Sequence, residues 1–318
     1  MPEWLIERGI GETRFALVED GEIVEARIEL DGVVPSGSRL AASLTATGIN
    51  GRNAIATDEQ GTEYLLPRGA PGVSEGASMH LEVTRSAIPG SEPWKRPLAR
   101  FAADADAEPA APGGRDLPFP APKDQLASLG WNELVEQAHS GVVRFAGGEL
   151  SIEVTRAMTV IDVDGYLPSE ELAIAGAAAA ARAIRRLDIG GSIGIDLPTA
   201  GGKAARQSAG EAIDRHLPQP FERTAVNGFG FVQVVRPRRR ASFIELAGDR
   251  AAFEVRALLR RAAFEGPGPK RLVAHPALIS LLESRPGWIA TLERQLGGAI
   301  GLRADPALPM SGGYAESC

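Results

Sequence analysis

The feature that most constrains this chain is a pair of short apolar segments that both end in aspartate. The first is Val160-Ile161-Asp162-Val163-Asp164-Gly165, and the second is Ser192-Ile193-Gly194-Ile195-Asp196-Leu197-Pro198. Both are rich in β-branched residues and bounded by Gly or Pro, the signature of strands. Between them, Glu170 to Leu187 is rich in alanine and sets Leu172, Gly176, Ala179, Ala183 and Leu187 on one helical face, with Ser169 as the expected N-cap. A crossover helix therefore links the two strands. If they are parallel neighbours, a right-handed connection puts both carboxyl ends at one edge of the sheet. Ligand sites in open α/β sheets favour that edge. Residues two apart on a strand share a face, so Asp162, Asp164 and Asp196 are predicted to converge.

Three carboxylates so placed repel. At ~4 Å each pair costs roughly 4 kcal/mol at an effective dielectric near ~20, and nothing in their immediate sequence supplies a positive partner. A hard cation resolves the conflict, and an all-oxygen donor set favours Mg2+, with Mn2+ as the alternative. A metal so held activates water and steadies the leaving oxygen of a phosphodiester. The residues alone leave another reading open, in which acids at strand ends form turns and cap the next helix.

Around this unit the chain divides by texture. Residues 1–101 are expected to be β-rich: Trp4 to Ile6, Arg14 to Val18, Ile23 to Leu30, Ala54 to Thr57, Tyr64 to Leu66 and His80 to Thr84 are short apolar segments between glycine-containing turns. That spacing suggests a small antiparallel barrel or sandwich. Residues 102–122, rich in Ala, Pro, Asp and Gly, are expected to be a linker. Residues 123–250 form the expected α/β core: a helix from Trp131 to His139, strands at Val142 to Phe145, Leu150 to Val154 and Met158 to Val163, the crossover, a helix from Lys203 to Leu217 and a strand from Gly230 to Arg236. Residues 251–318 are expected to be a small α/β domain, with strands at Arg271 to Ala274 and Ala299 to Arg303.

The net charge of −7 argues against RNA binding through the whole surface, so nucleic-acid contacts must be local. The densest basic run is Arg236, Arg238, Arg239 and Arg240, weak evidence by itself because a solvated surface turn explains such a run more readily. No stretch approaches the ~18 apolar residues of a membrane span, and the acidic start, without an apolar run, does not resemble a signal peptide. The single cysteine, Cys318, excludes an internal disulfide and a cysteine-cluster zinc site. It is expected to be a free, disordered thiol, and the expected compartment is a reducing cytoplasm.

The run from Gly147-Gly148-Glu149-Leu150 through Thr155-Arg156-Ala157-Met158-Thr159-Val160-Ile161-Asp162-Val163-Asp164 resembles the catalytic segment of the ribonuclease E/G family. There, a glycine-rich turn and a strand lead into Thr-x-Ala-x-Thr-x-Ile-Asp-Val-Asn. Ile189-Gly190-Gly191-Ser192-Ile193-Gly194-Ile195-Asp196 is similar to the family segment that carries its second metal-binding aspartate. Phe229-Gly230-Phe231-Val232-Gln233-Val234-Val235-Arg236-Pro237-Arg238 resembles a third family segment, Phe-Gly-Leu-hydrophobic-Glu-Met-Thr-Arg-x-Arg. The resemblance implies a magnesium-dependent endoribonuclease acting on single-stranded RNA, in rRNA or tRNA processing or mRNA decay. It implies an α/β fold with a ribonuclease H-like core, an N-terminal small β-barrel of oligonucleotide-binding type and a small α/β C-terminal domain. It gives Asp162 and Asp196 the magnesium-ligand roles and puts Asp164 where an Asn usually supports catalysis.

The chain departs from the family in three ways. The large insertion that senses a 5′ monophosphate is missing, the cysteines that join subunits through zinc are absent, and Asp164 and Gln233 replace an Asn and a Glu. No zinc-linked oligomer is expected. In the barrel region basic and aromatic residues are scarce: between Ser38 and Thr84 only Arg39, Arg52 and Arg68 accompany His80, and Tyr64 is the only large ring. Lys203, Arg206 and Arg215, on the helix after Asp196, are placed to touch phosphates or to form a solvated helix face. His80, His139, His216 and His275 have no metal-ligand spacing. A non-catalytic RNA-binding or ribosome-associated protein that keeps the fold is the alternative function.

Overall fold

A computed structural model describes residues 2–49, 51–89, 95–102 and 112–317. Cys318 and residues 103–111 of the expected linker lie outside the described residues. Alternating apolar residues build an antiparallel meander of β1 (Glu3–Arg8), β2 (Glu12–Glu19) and β3 (Glu22–Leu30). The chain then enters a closed five-stranded barrel made of β4 (Arg39–Ile49), β5 (Asn53–Thr57), β6 (Glu63–Leu66), β7 (Ser78–Arg85) and β8 (Leu98–Ala102). The barrel has its own core of Leu44, Tyr64, Leu66, Leu81 and Val83. Short β9 (Arg115–Leu117), within the stretch expected to be a linker, returns to pair parallel with β1. Residues 1–101 thus hold two sets of strands with different neighbours, and the barrel is an insertion between β3 and β9.

α1 (Gln125–Ser128) and α2 (Trp131–Ser140) lead into a six-stranded sheet. Its strands are β10 (Val142–Phe145), β11 (Gly148–Val154), β12 (Thr159–Gly165), β13 (Gly191–Asp196), β14 (Glu222–Arg223) and β15 (Phe231–Arg236), in the order β10-β11-β12-β13-β15-β14. α3 (Ser169–Arg186) crosses from β12 to β13, and α4 (Lys203–His216) follows β13. Ile161, Val163, Ile193, Ile195, Val232 and Val234 bury one face of the sheet in the same core as Leu172, Ala173, Ala177, Ala180 and Ile184 of α3. Gly176 is required there, since a Cβ would lie 2.3 Å from Val163 Cγ1. α3 also touches β3, so the helix lies between the meander and the six-stranded sheet. Ser169 proves to be the first helical residue rather than the cap, and no side chain caps this helix.

The remainder comprises α5 (Phe243–Gly248), α6 (Arg250–Phe264), β16 (Lys270–Ala274), α7 (Pro276–Glu283), α8 (Pro286–Leu296), β17 (Ile300–Ala304) and β18 (Tyr314–Ser317), with the last three-stranded sheet in the order β17-β16-β18. Its core includes Ile10 from the β1–β2 turn. Trp288 packs on Gly11, where a Cβ would lie 2.6 Å from the ring. Among the described residues no helix is long and apolar enough to cross a membrane.

A buried ionic network joins the ends of the chain. Arg260 on α6 donates to Glu7 on β1 through Nε (2.6 Å) and Nη2 (2.9 Å), and to Asp124, the N-cap of α1 (2.6 Å). Glu12 accepts from Arg14 (2.6 Å) and from Arg256 (2.8 Å). Burial alone would raise the Glu12 pKa, but the charges and hydrogen bonds of Arg14 and Arg256 outweigh it and hold the carboxyl below its ordinary value. Asp124 is likewise lowered: burial opposes, and the Arg260 hydrogen bonds prevail. Removing one partner strands a buried charge, at a cost of about 3–5 kcal/mol. Arg260→Met is therefore expected to lower the urea midpoint by that amount of stability, with Arg260→Lys intermediate. A depressed carboxylate pKa contributes stability above its unfolded value that is lost as pH falls. Acid titration by circular dichroism should accordingly show wild-type stability declining below pH ~4, and Glu12→Gln should flatten that decline.

Candidate active site

Register places the two aspartates side by side. β12 and β13 are parallel neighbours, with Asp162 opposite Asp196 near their carboxyl ends. Adjacent strands lie about 5 Å apart, so both side chains project from one edge of the same sheet face. Asp164 shares that face and is paired with Glu149 of β11, while Ser151 pairs with Asp162. Glu149, Glu153, Asp162, Asp164 and Asp196 are all exposed. Strand alternation explains why: the odd positions of β12 face α3, and the even positions face outward. Glu149 and Ser151 are neighbours that the sequence reading did not single out. Their signal is the alternation Glu149-Ser151-Glu153 in β11, which matters only once β11 is seated beside β12.

The electrostatics carry the strain expected of like charges. Burial pushes the Asp162 pKa up, and the negative charges of Asp164 and Asp196 add to it, as does a side-chain hydrogen bond with Asp164. Arg144 is ion-paired to this acidic face, 3.8 Å from Glu149, and is itself largely exposed.

Loops at this edge are tightly braced. The Gly202 amide donates to Glu170 Oε1 (3.1 Å), tying the start of α4 to the start of α3. Arg206 donates to the carbonyls of Ala200 (3.1 Å) and Gly201 (3.2 Å), so it holds the loop after β13 rather than facing solvent freely. Lys203, the first residue of α4, is exposed. Gln233 donates to Ser192 Oγ (3.0 Å).

The arginine run lies elsewhere. Arg236 pairs with Gly191, at the end of β13 opposite Asp196, about 16 Å away along the strand. Arg236 and Arg240 both bind Asp188, at 3.3 and 2.8 Å, and Arg238 pairs with Glu245. Arg239 is exposed. The run is mostly an internal brace, because Asp188, just after α3, needs countercharge where Arg236, the last residue of β15, and Arg240, just beyond it, arrive. No local signal could have revealed a partner about fifty positions away in sequence. Tyr64, the one ring between Ser38 and Thr84, is 1% exposed and donates to Asp58 Oδ2 (2.9 Å), so it is barrel core rather than a stacking surface. His139 is half-buried against Phe253, with ring centroids 5.1 Å apart.

Among the described residues no group of three or more His, Cys, Asp or Glu side chains is arranged to hold a metal ion by itself. Magnesium does not need one. It keeps several waters and is commonly bound through one or two carboxylates plus substrate phosphate. The lateral pair Asp162 and Asp196, all oxygen and mutually repelling, fits that mode. No protein-family model matches the chain, and no curated protein matches it.

The charge of Asp164 is part of what raises the Asp162 pKa, so removing it should relieve the repulsion on this face. Asp164→Asn is expected to raise the melting temperature of the metal-free protein at neutral pH and to shrink the gain on adding magnesium. Thermal unfolding with chelator and with excess magnesium measures both. An identical magnesium response in the two proteins would place Asp164 outside the site.

Proposed function

We propose that the protein is a magnesium-dependent endoribonuclease of single-stranded RNA, with a ribonuclease H-like core and an oligonucleotide-binding-like barrel, acting in the cytoplasm. The observation that carries the proposal is the lateral pairing of Asp162 and Asp196 at the carboxyl edge of parallel strands, on an exposed face. The sequence resemblance to the ribonuclease E/G family supports it. So does the course of the core, a three-stranded meander followed by a β12–α3–β13 crossover.

Asp162 and Asp196 would hold the ion, which when bound supplies a Lewis acid and an acidified water. The chain's own residues do the rest. Five carboxylates on one face repel a phosphodiester, which makes cation occupancy a condition of substrate entry. Burial raises the proton affinity of Asp162, and Asp164 adds to it through its charge and hydrogen bond. Arg206 and Glu170 fix the loop that carries the chain from Asp196 into α4, and exposed Lys203 would offer a positive charge to the RNA backbone there.

Purified protein is expected to cut an unstructured RNA in magnesium or manganese and to stop with chelator. Asp162→Asn and Asp196→Asn should each lower the rate roughly 100-fold or more while leaving the circular dichroism spectrum unchanged. RNA binding without cleavage under these conditions would favour the non-catalytic alternative. With the sensing insertion missing, 5′-monophosphorylated and 5′-hydroxyl substrates should be cut at similar rates, and a reproducible advantage for the former would contradict this.

A further inference from the structure

Two aromatic rings stand at the acid edge. Tyr166 and Phe229 are each 84% exposed, while the other exposed large hydrophobic side chains, Phe101, Val154, Val235 and Tyr314, lie between 38 and 49%. Single exposed apolar residues are ordinary. Here, however, the two most exposed rings among the described residues occupy the same edge of the same sheet. Tyr166 follows Gly165 at the carboxyl end of β12, and Phe229 precedes β15, whose first residue, Phe231, pairs with Asp196. Asp162 and Asp164 lie on the exposed face of β12 just before Tyr166, and Phe231, two residues after Phe229, pairs with Asp196, so both rings stand in the loops that border the acids.

Neither ring sits on a loose loop. The Tyr166 amide donates to the Gly147 carbonyl (3.1 Å). The next residue, Leu167, packs so closely on Gly147 that a Cβ there would lie 2.3 Å from Leu167 Cδ1. The Phe229 amide donates to Asn227 Oδ1 (2.9 Å), and its carbonyl accepts from Thr199 Oγ1 (3.3 Å). Gly230, at φ +95°, presses against the Leu197 carbonyl, where a Cβ would lie 2.1 Å away. That contact locks the Phe229 turn to the loop leaving Asp196. Braced loops thus hold two apolar rings in water at the edge that carries the carboxylate pair.

We propose that Tyr166 and Phe229 are stacking platforms for unpaired RNA bases on the two sides of the phosphate held at Asp162 and Asp196. This rests on the nuclease proposal and deepens it by naming how the strand is held. Stacking suits this site because it needs no positive charge, and the face is acidic. It selects single strands, whose bases are free to leave a helix. It tolerates any base, since every base has a π-face.

The experiment uses the full chain in magnesium and an unstructured oligoribonucleotide carrying one 2-aminopurine, moved position by position, with fluorescence read before turnover. Wild type is expected to quench the probe at two positions flanking the cut. Tyr166→Ala and Phe229→Ala should each abolish quenching at one of them and weaken binding roughly 5- to 100-fold. Tyr166→Phe and Phe229→Trp should restore both. Because both rings are exposed, melting temperatures should not change. Quenching and affinity that survive both alanine variants overturn the stacking role while leaving the nuclease proposal intact. If wild type neither binds nor cuts RNA, the nuclease proposal fails and this one with it. Self-association that vanishes in the alanine variants, with RNA binding unchanged, would assign the rings to a contact between copies and also overturn it.

Discussion

The position of the acid edge depends on the buried network around Arg260. Arg260 clamps Glu7 of β1 and Asp124 of α1, while Arg256 reaches Glu12 at the start of β2. One helix near the chain's end thus fixes the first two strands and the entry to the core. Those strands matter because β3, beside β2, packs on α3, and α3 backs β11 and β12 from behind. A buried ion pair is not by itself evidence of stability, since desolvation offsets much of the attraction. Its value here is geometric. Arg260 has two carboxylates at fixed angles and Phe264 against its guanidinium, 4.8 Å from the ring centroid. Few other placements of α6 satisfy all of these at once. Arg14 adds to the same cluster and lies 5.2 Å from the Trp131 ring, extending it to α2.

Much of the fold is legible in the sequence wherever the signal is local. The β12–α3–β13 unit has β-branched strands, an alanine-rich helix and glycine stops, and its expected boundaries lie within a few residues of the observed ones. The barrel is legible as a kind of structure but not in full. Its longest strand, β4, reads Arg-Leu-Ala-Ala-Ser-Leu-Thr-Ala-Thr-Gly-Ile, in which small residues blur the alternation. β9 and β18 are short and are made by pairing with distant partners, β1 and β16, rather than by their own propensity.

The candidate site divides the same way. That Asp162 and Asp164 share a face follows from strand geometry, and the pairing with Asp196 follows once the crossover joins parallel neighbours. The role of Arg236, Arg238 and Arg240 is not legible, because it depends on where Asp188 and Glu245 fall in space. Basic residues in a run look available for phosphate, and only the tertiary structure shows that three of them are already neutralised. Glu149 and Ser151 become neighbours of the acids through register, which a single strand does not reveal.

These findings constrain how such a chain could hold RNA at all. The net charge is −7, the candidate active face carries five exposed carboxylates, and most of the arginine run is engaged internally. A general electrostatic grip of the kind most nucleic-acid binders use is therefore unavailable. The barrel offers little stacking surface in its place, since Tyr64 is inside and Phe101 on β8 is only 38% exposed. On the proposed reading two local resources supply the grip: a cation at Asp162 and Asp196, which would convert a repulsive edge into an attractive one, and the rings of Tyr166 and Phe229, which are indifferent to charge. Both lie at the same edge, so affinity and chemistry would be governed by the same event. A strand that stacks without a cation meets repulsion at its phosphate. A cation bound without a flexible strand meets no bases it can stack. Selection for single-stranded substrate and dependence on metal would then arise from one piece of geometry, the shared edge of β12 and β13.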